Sequence, residues 1–216
     1  YLAQEFRYLL LPTTTLVAEY RYGMVEYDQN PSSSTSHFIL GGVDYTANRR
    51  LSVSLRGGAE LREFDDGATS ESPYGEATVS YAYGEGSSLS WITRYGFENS
   101  EIVGTSTNTT LRTGLQVSQK ITGKLSGRFG VFYENTEFEA LDPAQPIIDP
   151  LTGEEVPSGF NPDYSEDLID VTAGLNYALH KNVALSLGYS FTTVASDQPA
   201  NDYDRHRVML GVNFSF

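Results

Sequence analysis

Apolar and polar residues alternate one by one through most of this chain, in runs too long for ordinary soluble strands. Leu51, Val53, Leu55, Gly57, Ala59 and Leu61 alternate with Ser52, Ser54, Arg56, Gly58, Glu60 and Arg62. Val183, Leu185, Leu187, Tyr189 and Phe191 alternate with Ala184, Ser186, Gly188, Ser190 and Thr192. A period of two puts one set on each face of an extended strand. No window keeps the i, i+3, i+4 spacing of an amphipathic helix, so essentially no helix is expected. Eleven runs result, at roughly 2–10, 15–27, 35–46, 51–64, 73–84, 88–99, 107–119, 124–138, 166–179, 182–194 and 202–216. Most have the ~9–11 residues that a tilted strand needs to cross a bilayer. Strands of soluble proteins are shorter, commonly ~5–6 residues.

The connections alternate in length. Short ones fall at 12–14, 47–50, 85–87, 120–123 and 180–181, and longer ones at 28–34, 65–72, 100–106, 139–165 and 195–201. Outer-membrane barrels join strands by short periplasmic turns and longer external loops. The expected fold is therefore an all-β, antiparallel, up-and-down transmembrane β-barrel. It forms one domain over 1–216. If the last strand ends in the periplasm, the first also runs down from outside. Single-chain barrels have even strand numbers. The expectation is about 12 strands with 11 legible, the C-terminal part of a larger barrel, or a count off by one.

Composition excludes other classes. The formal net charge is −14, and phosphate binding needs a basic face, so nucleic acid is not an expected partner. There is no cysteine, hence no disulfide scaffold and no thiolate site. No stretch approaches the ~18–20 apolar residues of a membrane helix, and mean hydropathy is −0.32. Barrel strands escape that test because only every second residue meets lipid. A soluble sandwich would also alternate, but the strand lengths argue against it.

The last strand, Val208-Met209-Leu210-Gly211-Val212-Asn213-Phe214-Ser215-Phe216, resembles the C-terminal signature of Gram-negative outer-membrane proteins. That resemblance implies recognition of Phe216 by the barrel assembly machinery. Gly188-Tyr189-Ser190-Phe191 and Gly174-Leu175-Asn176-Tyr177 are similar in style to the putative β-barrel porin 2 family. The resemblance transfers no functional residues. The implied location is the bacterial outer membrane, with membrane lipid and lipopolysaccharide as surroundings.

The polar register is assigned to the lumen. It contains Glu19, Arg21, Asp44, Arg56, Glu60, Arg62, Glu76, Arg94, Glu98, Arg112, Arg128, Glu134 and Asp170, and also Glu5, Arg7, Arg205 and Arg207. Two readings stay open. The charges form salt bridges filling a narrow barrel, or they line a polar channel whose charged rings select solutes. Outward aromatics are expected in two girdles. Tyr8, Tyr45, Tyr81, Tyr83, Tyr177, Phe214 and Phe216 lie near the short turns. Tyr22, Phe97, Tyr133 and Phe191 lie near the long loops.

The 139–165 segment, acidic and rich in proline, is expected to be an external loop. Asp142, Asp149, Glu154 and Glu155 could offer oxygens to calcium, but no EF-hand pattern occurs, and no metal or cofactor is expected. An outer-membrane enzyme would use a rim histidine, of which His206 beside Asp204, Arg205 and Arg207 is the candidate, and Asp65 and Asp66 form an external pair. No nucleophile-elbow, zincin or phosphate-loop motif accompanies it, so an enzyme is not expected. The leading function is passive passage of small polar solutes or ions. The alternatives are a structural or adhesive barrel whose loops bind partners, a translocator, or an enzyme. Nothing in the sequence specifies an oligomeric state.

Overall fold

The computed structural model describes residues 2–25, 33–64, 67, 69–98, 105–140, 164–197 and 201–214, with backbone alone at 98, 105–107 and 139–140. Eleven strands follow one another: β1 (Leu2–Leu11), β2 (Thr14–Val25), β3 (Ser34–Thr46), β4 (Leu51–Phe64), β5 (Thr69–Gly84), β6 (Ser87–Glu98), β7 (Thr105–Lys120), β8 (Leu125–Ala140), β9 (Tyr164–His180), β10 (Val183–Ser196) and β11 (Tyr203–Phe214). They form one sheet in sequence order, and each pair is antiparallel. No α-helix occurs among the described residues. β1 and β11 run in the same direction, so antiparallel pairing cannot join them directly.

The strands reach further than expected at several ends. The largest difference is β5, which starts at Thr69 and not at residue 73. Pro73 cannot donate to a ladder. The structure resolves this on one side only. The β4–β5 ladder continues through Ala59–Pro73 to Glu63–Thr69, whereas β5–β6 pairing stops at Gly75–Tyr95.

The sheet curls tightly at β3 and β4, and two glycines permit it. A Cβ on Gly58 would strike the Ile39 carbonyl oxygen, and one on Gly42 would strike that of Leu55. Their sequence neighbours Gly57 and Gly41 meet nothing so close. Curvature is direct in the contacts as well. β2 and β5 lie three strand spacings apart, roughly 14 Å along a flat sheet. Yet Arg21 on β2 donates to Glu76 on β5 at 2.9 Å.

The outer face is apolar and bare. Ile39, Leu115, Phe129, Leu175, Leu187 and Leu210 are between 43% and 83% exposed. Exposed apolar patches on soluble monomers rarely exceed a few hundred Å². This surface runs around all eleven strands, and hydrocarbon is the solvent that suits it.

Candidate functional site

Every described acid–arginine pair of the strand interiors lies on the inner face. On β1–β5 the charges share partners. Asp44 accepts from Arg7 at 2.6 Å, from Arg56 at 2.8 Å and from Ser54 at 2.9 Å. Arg56 also lies 3.6 Å from Glu5 and 3.7 Å from Glu19. Arg21 donates to Glu19 at 2.6 Å and to Glu76 at 2.9 Å, and the Tyr74 hydroxyl donates to Glu76 at 2.7 Å. Glu5/Arg7, Glu19/Arg21 and Glu60/Arg62 are two residues apart, which places each pair on one face of its strand.

The outer half of this face, toward the long connections, is packed. Ser34, Ser36, Phe38, Leu40, Glu60, Arg62, Ser72, Tyr74, Asn108, Thr110, Thr136, Phe138, Tyr164, Thr192 and Val194 are all buried. Glu60 is 0% exposed. Its Oε1 accepts from Ser36 at 2.8 Å and from Arg62 at 2.7 Å, and its Oε2 has no partner among the described residues. A buried carboxylate is tolerated only when an opposite charge and donors offset its desolvation, and Arg62 supplies the charge. Phe38 and Tyr74 meet edge to face at 5.2 Å, and Phe138 stacks on Tyr164 at 4.4 Å.

The wall from β7 to β11 is different. Arg112 donates to Glu134 at 2.6 Å and lies over the Phe132 ring at 5.0 Å. Asp170 accepts from Thr192 at 2.9 Å. Arg128 and Arg207 are exposed and have no hydrogen bond or ion pair among the described residues. Beside Arg128 a concavity of about 380 Å³ is lined by Gln116, Thr172, Gly174, Asn176, Ser186, Gly188 and Ser190, together with Met209 and apolar residues such as Phe129, Leu175 and Leu187.

Glu19, Arg21, Asp44, Arg56, Glu60, Arg62, Glu76, Arg94, Arg112, Arg128, Glu134 and Asp170 share one register of the sheet. Arg94 pairs across the sheet with Glu76 on one side and Arg112 on the other. Glu98 pairs with Asn108 by backbone, and its side chain lies outside the described residues. Tyr8, Tyr45, Tyr81, Tyr83, Tyr177 and Phe214 are exposed on the outer face. Phe216, Asp65, Asp66, Asp142, Asp149, Glu154 and Glu155 lie outside the described residues.

One outward aromatic is corrected. Phe97 lies beyond the last β5–β6 pair, and the Arg62 guanidinium covers its ring at 5.2 Å. Unpaired on the β5 side but still paired with Thr109 on β7, it meets an inner-face arginine. Alternation alone also missed the inner-face residues Phe38, Leu40, Tyr74, Phe132 and Phe138. Their signal was present: Phe38-Ile39-Leu40 is an apolar run where alternation demands a polar break. His206, the rim candidate for acid–base chemistry, faces outward. Its Nδ1 lies 2.9 Å from the Tyr189 hydroxyl, and its ring lies against Phe191. His37 mirrors it, 2.7 Å from the Tyr20 hydroxyl.

A curled, sequentially antiparallel sheet, apolar outside and charged inside, defines an outer-membrane β-barrel. The chain belongs to the family described as Putative beta-barrel porin 2, whose model matches residues 3–216. Its location is the bacterial outer membrane. Two solved structures, Fiu and OmpT, agree on the fold. The ferric-catecholate import receptor Fiu of E. coli K12 superposes with a TM-score of 0.57 at 8% identity, over 97% of this chain and 48% of that one. Outer-membrane OmpT of Vibrio cholerae gives 0.52 at 14% identity, over 98% of this chain and 64% of that one. The NanC porin gives 0.42 at 9% identity, over 99% and 98%. The chain thus spans less than two thirds of the length of OmpT and of Fiu. A search of curated proteins finds no match.

Proposed function

We propose that this barrel is a channel for passive passage of small polar solutes or ions across the outer membrane. The observation that carries the reading is the inner face of β7–β11. There Thr172, Gly174, Asn176, Ser186, Gly188 and Ser190, on β9 and β10, form a stretch of small and polar side chains, with Phe132 and Met209 as the bulky neighbours. A structural fill would place large partnered groups there, as the β1–β5 wall does. Lipid and lipopolysaccharide meet the outer face in this reading, and the barrel assembly machinery takes the terminal strand. No step of it calls on catalysis or a cofactor. The test is planar-bilayer recording with the full-length protein, refolded and heat-modifiable on a gel. Stable conductance steps support a channel. Silence from folded protein overturns it.

A second reading has its own observation. The outer half of the inner face is buried around β3, β4, β5, β7, β8, β9 and β10. A barrel closed at that level would act through external loops that bind partners. The same recording separates the two, because a closed barrel does not conduct.

A further inference from the structure

We infer that the channel passes anions in preference to cations, and that Arg128 and Arg207 set that preference. The inference rests on the channel reading and adds the class of solute.

The acids and arginines of the inner face are nearly equal in number, so net charge does not decide the matter. Pairing does. Glu5, Glu19, Asp44, Glu60 and Glu76 each lie within 3.7 Å of an arginine, and Glu134 lies 2.6 Å from Arg112. A carboxylate already matched by a guanidinium presents little field to a passing cation. Among the described residues Arg128 and Arg207 are matched by no carboxylate, and both are exposed. The other described acids on the same stretch of wall, Asp170 and Glu166, accept from the neutral Thr192 and Asn201 and keep their charge. Both lie nearer the long-connection end than Arg128. Arg205 covers the Tyr203 ring at 5.9 Å and lies higher on β11.

Register sets the geometry. Arg128 on β8 is followed across the sheet by Gly174, Gly188 and Met209. Gly130 is followed in the next row by Thr172, Ser190 and Arg207. The two arginines therefore flank a floor of Gly and hydroxyl residues, three strand spacings or roughly 14 Å apart across the strands and one same-face row apart along them. Two guanidiniums on long side chains can approach one solute from opposite sides. Each offers a planar fork of donors suited to carboxylate or phosphate. Between low-dielectric walls, unpaired charge of one sign concentrates ions of the other. Gln116, Asn176 and Ser186 line the adjoining concavity and add uncharged donors and acceptors.

The experiment is the reversal potential of the full-length protein in a planar bilayer under a KCl gradient. Chloride is the probe anion. The wild type is expected to pass chloride more readily than potassium. Arg128→Glu with Arg207→Glu is expected to lower the chloride-to-potassium permeability ratio several-fold, to below one. The neutral pair Arg128→Gln with Arg207→Gln falls between and guards against a folding defect in the acidic pair. Trp91→Phe on the outer face leaves the ratio unchanged. Conductance steps with wild-type cation preference, or a ratio indifferent to both double variants, overturn the anion inference and leave the channel standing. Absence of steps from folded protein removes the channel reading itself, and the inference with it.

Discussion

The β1–β5 and β8–β11 parts of the inner face use the same residue type in opposite ways. On the first, Arg7, Arg21, Arg56 and Arg62 each touch at least one carboxylate, and Arg56 lies near three. On the second, Arg128 and Arg207 touch none among the described residues. The difference follows from spacing and curvature. Acid and arginine two residues apart on one strand share a face. The tight curl at Gly42 and Gly58 then brings β1 within reach of β3 and β4, and β2 within reach of β5. β8 to β11 carry arginines without acids two residues away, and Gly174 and Gly188 lie between them. The lesson is that an arginine is structural where the sheet delivers it a carboxylate, and stays available where it does not.

Substitutions can break this comparison. The largest effect is expected at Arg62. Arg62→Met strands the Glu60 carboxylate in a site that is 0% exposed. Removing one partner of a buried pair costs about 3–5 kcal/mol. Urea unfolding in lipid vesicles, followed by the fluorescence of Trp91, should show that loss. An unchanged midpoint would mean that Glu60 is held by something other than Arg62.

Gly58→Ala comes next. The new Cβ meets the Ile39 carbonyl oxygen, and forcing the strands apart should cost about 1–3 kcal/mol. Gly174→Ala is the matched control, since its nearest contact is an ordinary 3.7 Å. Heat-modifiability of the two variants, compared by apparent melting temperature, tests the claim that close approach at Gly58 sets the sheet's shape at β3 and β4. Equal shifts in both would refute it.

Tyr133→Phe tests the outer wall. The hydroxyl donates to Asp167 at 2.6 Å near the long-connection end. Loss of this partly exposed bond is expected to cost about 0.5–1.5 kcal/mol, read from the same urea titration. A cost of several kcal/mol would mark the contact as buried and move the membrane boundary.

The smallest effects belong to groups without buried partners. Arg128→Met should change stability by less than about 0.5 kcal/mol. Lys120→Ala should be near neutral too, because its partner Glu85 is 95% exposed. If Arg128→Met unfolds the barrel, that arginine is structural after all and the contrast between the two walls collapses.

Much of this architecture was legible without coordinates. All eleven strands, the two ends of the barrel and the inner register of Arg21, Asp44, Arg56, Glu60, Arg62 and Arg128 follow from alternation and loop length. These are local properties: a strand turns each side chain over by geometry alone, whatever it pairs with. Family membership was legible as well, in the style of the last strands.

The partners of those side chains were not legible. That Arg56 is ringed by Asp44, Glu5 and Glu19 while Arg128 stands alone depends on curvature, which is set between strands. The burial of Glu60 and the turn of Phe97 under Arg62 depend on where one ladder stops and another continues. Phe38 and Leu40 broke the polar pattern, and only the folded sheet showed that they fill an inner cluster with Tyr74. Alternation fixes the face each residue occupies, but how closely opposite parts of that face approach depends on the summed twist and curl of many strands. No single run of residues encodes that sum.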